Sequence, residues 1–246
     1  MKGRAMSSVG KVRKANEDFF GIHEKGQLFY MVADGMGGHK AGDVASEETV
    51  GCVSEFLQKH LHPEARGAEV EKILGESISE ANTEIFEKAQ KQEECSGMGT
   101  TLTLAVPLPK ENKVYFAHVG DSRAYVIEKD GIYQVTRDHS LVQELVINGD
   151  ITEEEAKAHP KRNVITRAVG TEREVRPDVF SIDFSFDSDH YIILCTDGLS
   201  NAMGEEEIKN TVRDSGSIES ACAALINKAN ERGGQDNITV LILQGS

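Results

Sequence analysis

The feature that most constrains the fold is a pair of apolar runs that each end in the dipeptide Asp-Gly. Residues 28–33 lead into Asp34-Gly35, and residues 191–196 lead into Asp197-Gly198. A continuous apolar run of this length is typical of a strand buried in a sheet, and glycine permits a sharp turn directly after it. Each run is therefore predicted to place a carboxylate at a sheet edge, and two such carboxylates together can hold a divalent cation.

Composition limits the classes of protein to which the chain can belong. Its 246 residues suffice for a substantial core, and they contain no linker-like, repetitive or low-complexity stretch, which predicts one domain over residues 1–246. Lys and Arg number 27 against 41 Asp and Glu, and the net charge of −14 opposes binding to nucleic acid or anionic membranes. No apolar stretch reaches about 18 residues, no signal-peptide core is present, and the cysteines form no CxxC pair. We expect a soluble cytoplasmic protein with no membrane insertion and reduced cysteines.

Apolar periodicity predicts three long helices and, besides the strand at residues 28–33, six strands. The helices extend from Asp43, a candidate N-cap, to about Leu61, from about Ala68 to Lys91, and from Ile218 to about Asn230. The strands are predicted at residues 100–106, 114–119, 124–127, 178–186, 191–195 and 238–243. Residues 120–123 separate two of these strands, so they are predicted to form a hairpin turn that carries Asp121.

The middle of the chain has a different pattern. Two short helices are predicted between residues 141 and 160, the second opened by a Thr152-x-x-Glu155 capping box. The basic segment Lys161–Arg167 follows in an otherwise acidic protein. It is either a mobile flap that meets an anionic substrate or a solvated loop.

Four acidic residues lie at predicted strand boundaries beside glycine or a turn: Asp34, Asp121, Asp197 and Asp236. A set of oxygen ligands selects Mg²⁺ or Mn²⁺ over zinc. For any one of these residues the alternative is a simple turn, because Asp-Gly is a good turn sequence. The chain lacks the Asp-x-Asp-x-Asp-Gly run of an EF-hand and the Lys-Ser/Thr of a nucleotide P-loop. The acids must therefore be assembled from distant strands.

The N-terminal segment supplies the opposite charge. Residues 1–16 contain five basic side chains and no acid, and Glu17-Asp18 follows directly. An arginine fork can hold a phosphate with two hydrogen bonds, so Arg13 is a candidate phosphate ligand. The alternative is an ordinary surface arginine.

Six strings together resemble the metal-dependent serine/threonine protein phosphatases (PPM, or phosphatase 2C-like). They are Arg13-Lys14-Ala15-Asn16-Glu17-Asp18-Phe19, Val32-Ala33-Asp34-Gly35-Met36-Gly37-Gly38, Gly97-Met98-Gly99-Thr100-Thr101-Leu102, Val119-Gly120-Asp121-Ser122-Arg123, Leu194-Cys195-Thr196-Asp197-Gly198-Leu199 and Asp236-Asn237-Ile238-Thr239. Their order is that of the family, and residues 138–149 and 166–170 resemble its compact bacterial-type members. The resemblance implies an α+β fold, a four-layer α-β-β-α sandwich in which helix pairs flank two antiparallel sheets. It also implies a flap insertion, at about residues 141–170, near the active site.

The resemblance implies metal roles for most of the acids. Asp34 would bridge two Mg²⁺ or Mn²⁺ ions, the Gly35 carbonyl would help to hold one of them, and Asp197 with Asp236 would complete the other. Glu17 or Asp18 would act through metal-bound water. Asp121 with Asp197 would hold a weaker third ion.

The proton donor is not assigned by the resemblance. Arg13 would bind the substrate phosphate, but Met36 follows Asp34-Gly35 where many eukaryotic relatives have histidine. His39 is our candidate for substrate contact or proton donation. The alternatives are a solvated loop histidine at this position and a metal-bound water as the acid.

The leading hypothesis is a Mg²⁺- or Mn²⁺-dependent phosphatase acting on phosphoserine and phosphothreonine in proteins. The resemblance implies direct attack by a water or hydroxide shared by two ions, without a phosphoenzyme. The enzyme would oppose a cytoplasmic Ser/Thr kinase and act on that kinase and its targets. One alternative is a catalytically silent scaffold that binds phosphoproteins. Another is a two-metal nuclease, which the net charge of −14 disfavours.

Overall fold

Strands from distant parts of the chain form two antiparallel sheets in the computed structural model, which describes residues 1–37 and 41–245. The strands are β1 (Lys2–Ser8), β2 (Asp18–His23), β3 (Phe29–Met36), β4 (Gly99–Thr100), β5 (Leu102–Leu108), β6 (Lys113–Val119), β7 (Arg123–Glu128), β8 (Gly131–Gln134), β9 (Asp178–Asp183), β10 (Tyr191–Cys195) and β11 (Ile238–Gln244). The first sheet has the order β1-β11-β10-β7-β8. The second has the order β2-β3-β5-β6-β9, with β4 paired to the end of β3.

The helices are α1 (Gly42–His60), α2 (Ala68–Lys91), α3 (Leu141–Asn148), α4 (Glu153–Ala158), α5 (Asp197–Ser200), α6 (Glu205–Asp214) and α7 (Ile218–Glu231), and short 3-10 helices span Glu93–Cys95 and Pro109–Glu111. Helices α1 and α2 pack on the outer face of the second sheet, and α6 and α7 pack on the outer face of the first. A third apolar cluster, which includes Tyr30, Phe116, Leu194 and Leu241, fills the space between the two sheets. The predicted α-β-β-α sandwich is confirmed.

The connection between β6 and β7 differs from the predicted hairpin. Strand β6 pairs with β5 and β9, whereas β7 pairs with β10 and β8 in the other sheet. Residues 120–122 therefore carry the chain from one sheet to the other. Gly120 has a positive φ of 109°, which lets this short connection change direction without strain. Asp121 consequently lies at the junction of the two sheets.

Two helix starts can be compared with the sequence. The capping box at Thr152 is present, with reciprocal hydrogen bonds between Thr152 and Glu155. The N-cap prediction at Asp43 is wrong, because α1 begins at Gly42 and Asp43 lies in its first turn. Gly42 packs closely against the Glu17 side chain, and no side chain caps the start of the helix. Among the described residues, no helix is long and apolar enough to span a bilayer.

Candidate functional site

The predicted acids converge on a cleft of about 590 Å³ where the ends of the two sheets meet. The cleft is lined by acidic side chains from distant positions in the sequence: Glu17, Asp34, Asp43, Asp121, Asp197 and Asp236. Asp34 belongs to β3 of the second sheet, whereas Asp197 follows β10 and Asp236 precedes β11 of the first. Asp18 lies on β2 directly opposite Asp34. The structure thus brings together all seven residues predicted as metal ligands, because Gly35 also lines the cleft and Asp18 is paired with Asp34.

The Asp-Gly dipeptides place these acids in a different way from that predicted. Strand β3 continues through Asp34 and Gly35 to Met36, and Asp197-Gly198 begins the short helix α5, so neither dipeptide forms a turn after a strand. A Cβ on Gly35 would collide with the backbone of Gly42, and one on Gly198 would collide with the backbone of Asn237. Because both glycines lack a Cβ, another backbone segment can pack closely against each of them, and this packing brings the adjacent carboxylates into the cleft.

Asp18 is the most enclosed of the acids. It is buried, its Oδ2 accepts a hydrogen bond of 2.8 Å from Thr196 Oγ1, and its Oδ1 has no partner among the described residues. Burial, together with repulsion from Asp197 and Asp236, raises the pKa of Asp18 to about 7, although hydroxyl hydrogen bonds oppose the shift. A buried, unpartnered carboxylate oxygen is typical of a group whose natural partner is a cation.

The backbone of Asp34 is held on both sides by threonines. Its N–H donates to Thr101 Oγ1 at 2.9 Å, and its carbonyl accepts from Thr100 Oγ1 at 2.9 Å. Burial raises the pKa of Asp34 well above its ordinary value, and repulsion from the neighbouring carboxylates, Asp18 foremost, adds to the shift. The cleft therefore presents this carboxylate in an environment that strongly disfavours negative charge without a compensating cation.

The pKa values of Asp121 and Asp197 are also raised by burial and by neighbouring carboxylates. Burial, then repulsion from Asp197, raises the pKa of Asp121 to about 7. Burial and repulsion from Asp236 raise the pKa of Asp197 to about 6, and Asp197 Oδ1 is buried without a partner among the described residues. The turn that carries Asp121 is fixed, because Gly120 N–H donates to His139 Nδ1 at 3.1 Å and Gly120 O accepts from His139 N–H at 2.7 Å.

This donor set fits hard divalent cations. It consists of carboxylate and carbonyl oxygens, which suit Mg²⁺ or Mn²⁺, and each of the two unpartnered oxygens could gain a cation as its partner. Within residues 1–37 and 41–245, no three His, Cys, Asp or Glu side chains already stand in a metal-binding arrangement. Binding of a cation among these side chains would relieve the repulsion that raises their pKa values.

Arg13 lies at the rim of the same cleft. It belongs to the loop between β1 and β2, its side chain is about half exposed, and its Nη2 donates to Asp236 Oδ2 at 2.8 Å. The guanidinium is thus adjacent to the acids, and its role as a phosphate ligand stays a prediction. Asp236 uses its other oxygen to accept from Asn237 N–H at 2.9 Å.

The backbone of Glu17 makes hydrogen bonds to segments on both sides of the cleft. Its carbonyl accepts from Gly35 N–H at 3.0 Å and from Ser46 Oγ at 2.6 Å. Its N–H donates to Asn237 Oδ1 at 2.8 Å. Partial burial raises the pKa of Glu17, and the nearby Arg13 opposes that shift.

The basic segment reaches the cleft with uncharged side chains. Asn163 and Ile165 line it, whereas Arg167 pairs with Asp178 at 3.0 Å. Backbone hydrogen bonds fix the segment to the start of α3, including Leu141 N–H to Val164 O at 2.9 Å. Asn163 was not predicted, because the signal used was charge and Asn163 has none.

Three other residues bear on the predicted chemistry. Met36 ends β3 and lines the cleft, so no histidine occupies that position. His39 lies outside the described residues, and its role stays a prediction. Asp43 was read only as a helix cap, but it lines the cleft and raises the pKa of Glu17. Its negative charge and its closeness in sequence to Asp34 could have identified Asp43 as a cleft residue.

Comparison with known proteins agrees with this geometry. Residues 8–240 match the family described as Protein phosphatase 2C. The chain is 40% identical over 237 residues to the serine/threonine phosphatase stp of Listeria innocua, covering 96% of this chain and 92% of that one. A solved S. agalactiae serine/threonine phosphatase superposes with a TM-score of 0.91 at 34% identity, covering 100% of this chain and 99% of the other.

A further solved structure is the catalytic domain of the serine threonine protein phosphatase PstP in complex with two manganese ions. It is 31% identical, has a TM-score of 0.82, and covers 98% of this chain and 96% of that one. Fold, cleft and sequence similarity all agree over nearly the whole chain. The chain therefore belongs to the protein phosphatase 2C (PPM) family of serine/threonine phosphatases.

Proposed function

We propose that this serine/threonine phosphatase depends on Mg²⁺ or Mn²⁺ and hydrolyses phosphoserine and phosphothreonine in proteins without a phosphoenzyme. The observation that carries the proposal is the cleft, where acids from both sheets face one another with buried oxygens that lack partners. The two manganese ions in the PstP complex support the choice of metal. Asp34, Gly35, Asp197 and Asp236 would hold two ions, Asp121 would contribute to a weaker third, and Glu17 or Asp18 would act through bound water.

When bound, divalent cations supply an acidified water and neutralise charge on phosphoryl oxygens. The residues of the chain supply the rest. Arg13 would bind the substrate phosphate through its guanidinium fork, for which it must release Asp236. The hydrogen bond from Thr196 would hold Asp18 in position beside Asp34. Thr100 and Thr101 would fix the backbone of Asp34 and therefore the position of its carboxylate.

We further infer a single catalytic domain over residues 1–246, in which residues 141–170 form a flap beside the cleft. Asn163 and Ile165 support this placement because they line the cleft wall. The substrates would be phosphoproteins, a Ser/Thr kinase and its targets among them. The four cysteines are free thiols, which fits a reducing compartment, and we propose the cytoplasm.

The proposal is tested with an aryl phosphate and with phosphoserine and phosphothreonine peptides. We expect turnover that requires Mn²⁺ or Mg²⁺ and disappears with a chelator. Asp34→Asn and Asp236→Asn should each lower kcat/KM by at least about 100-fold, because loss of an ionised ligand costs no less than loss of an outer partner. The control is Asp183→Asn, a strongly exposed position on β9 that should keep full activity.

Two results would contradict the proposal. Full activity of the Asp236→Asn enzyme would remove the metal assignment. Absence of turnover by wild-type protein under every metal condition, together with retained binding of phosphopeptides, would favour the silent scaffold.

A further inference from the structure

Asn237 is a buried polar residue beside the cleft for which the chemistry above has no role. It directly precedes β11, is only 4% exposed, and follows the cleft residue Asp236. Its Oδ1 accepts from Glu17 N–H at 2.8 Å. Its Nδ2 donates to the carbonyls of Val9 at 3.0 Å and Ala15 at 2.9 Å. The amide therefore uses both of its donor hydrogens and its acceptor.

All three partners of Asn237 belong to one segment, residues 9–17, which we call the β1–β2 loop. The loop carries Arg13 and ends at Glu17. Bonds from Lys11 N–H and Val12 N–H to the carbonyl of Gly234, at 2.8 and 3.2 Å, tie its first half to the approach to β11. Asn237 is the side chain that spans the loop, since its partners lie on both sides of Arg13.

We propose that Asn237 is a positioning residue for substrate phosphate, which it serves by holding the β1–β2 loop so that Arg13 faces the cleft. The inference rests on the proposed function, because it takes Arg13 as the phosphate ligand. Asn237 touches neither phosphate nor metal in this account. It acts through the loop backbone.

The chemistry of the amide explains why asparagine stands here. Two backbone carbonyls require donors and one backbone N–H requires an acceptor, and a carboxamide supplies this combination. An aspartate would set negative charge against the carbonyls of Val9 and Ala15. An aliphatic side chain would leave three backbone groups without partners, at a cost for each one that remains buried.

The position of Asn237 in the chain also matters. Asp236, the adjacent residue, accepts from Arg13 Nη2 at 2.8 Å. Two adjacent residues thus serve the site, since Asp236 contributes a cleft carboxylate and Asn237 orients the guanidinium of Arg13. The spacing between the acids and the phosphate ligand is then determined locally, although Arg13 and Asp236 are more than 200 residues apart in sequence.

The test is a double-mutant cycle on Mn²⁺-loaded enzyme, with inorganic phosphate as the probe. Asn237→Ala should weaken competitive inhibition by phosphate about tenfold and raise KM for an aryl phosphate more than it lowers kcat, because a misplaced charged donor loses much of its hydrogen-bond energy. In an Arg13→Ala background, Asn237→Ala should change phosphate inhibition less than about twofold. Hydrogen exchange should accelerate in residues 9–17 of the single variant and stay unchanged in β10.

A matched control is Asn82→Ala. Asn82 in α2 is 1% exposed and also makes three hydrogen bonds, to the carbonyls of Glu172 and Arg173 and from the N–H of Gly170, but none to the β1–β2 loop. We expect a comparable loss of thermal stability with unchanged phosphate inhibition. If Asn237→Ala does not fold, Asn237→Asp retains the acceptor for Glu17 N–H, and the same cycle applies to it.

Additive effects of Asn237→Ala and Arg13→Ala on phosphate inhibition would overturn the inference. Equal weakening by Asn82→Ala would also overturn it, because the effect would then reflect general stability. These outcomes differ from failure of the proposed function, which would appear as wild-type protein without cation-dependent turnover.

Discussion

Gly35 and Gly198 hold the acids in place because they have no side chain. Each follows an aspartate of the cleft, and each brings its backbone into contact with another segment, Gly35 with Gly42 and Gly198 with Asn237. The sequence contains the dipeptides, but an Asp-Gly pair is compatible with a turn and with a close backbone approach. Only the neighbouring segments, which are distant in sequence, distinguish the two.

Gly35→Ala should therefore destabilise the protein strongly. The added Cβ would strike the Gly42 carbonyl, a backbone group that cannot rotate away, so we expect a loss of about 3 kcal/mol in the free energy of unfolding. Gly51→Ala is the matched control, since Gly51 lies within α1 and faces open space. It should gain about 1 kcal/mol from helix propensity. Urea unfolding measures both, and a Gly35→Ala protein as stable as wild type would contradict the close-approach interpretation.

At the level of elements, local patterns predicted the helices better than the strand partners. The helix Ala68–Lys91 matches its prediction, and α7 extends one residue beyond the predicted Ile218–Asn230. Strand β1 went unpredicted because its sequence, Lys-Gly-Arg-Ala-Met-Ser-Ser, has no apolar run and is stabilised by pairing with β11. The β6–β7 hairpin was a natural expectation from the four residues, 120–123, between the predicted strands. Strand pairing, however, is determined by apolar faces contributed from elsewhere in the chain.

The helix α4 provides a local test of capping. It has six residues, none of them buried, so its stability depends largely on the box formed by Thr152 and Glu155. Thr152→Ala should cost about 1 kcal/mol locally and speed hydrogen exchange in residues 153–158 about fivefold. Thr83→Ala, at an exposed site inside α2, serves as the control and should have no such effect. Unchanged exchange in α4 would show that the cap contributes little.

On the scale of the whole molecule, the cleft concentrates negative charge at the junction of two sheets. Local signals in the sequence predicted the acids, because acidic strand ends can be read from the residues themselves, whereas the four layers were implied only by the family resemblance. It did not predict the wall formed by Asn163 and Ile165, whose position depends on the backbone bonds of residues 139–141. The sequence indicated that the acids must be assembled from distant strands, but their individual metal roles were implied only by the resemblance, since spacing alone left each acid open to interpretation as a turn.

This concentration predicts a pH-dependent effect of cations on stability. The pKa values of Asp18 and Asp121 rise to about 7, and that of Asp197 rises to about 6, mainly through burial. Between about pH 4 and 7 the folded chain then binds protons that the unfolded chain has released, so these groups lower metal-free stability as the pH rises. We expect Mn²⁺ to raise the Tm more at pH 7.5 than at pH 5.

Calorimetry with and without Mn²⁺ at the two pH values measures this effect. Sodium chloride at matched ionic strength is the control for general screening, and Asp34→Asn should show a smaller gain at pH 7.5 than wild type. An equal shift of Tm at both pH values would contradict the electrostatic account of the cleft.

The place of β11 in its sheet has a consequence for synthesis of the protein. This strand, which follows Asp236 and Asn237, lies between β1 and β10, so the sheet remains divided until residues 238–244 have been made. A nascent chain that stops before residue 236 has Arg13 and Asp34 but lacks Asp236 and Asn237, which contact Arg13 and its loop. We therefore expect catalytic activity to arise only late in synthesis, and shortened translation products to lack it although they contain Arg13.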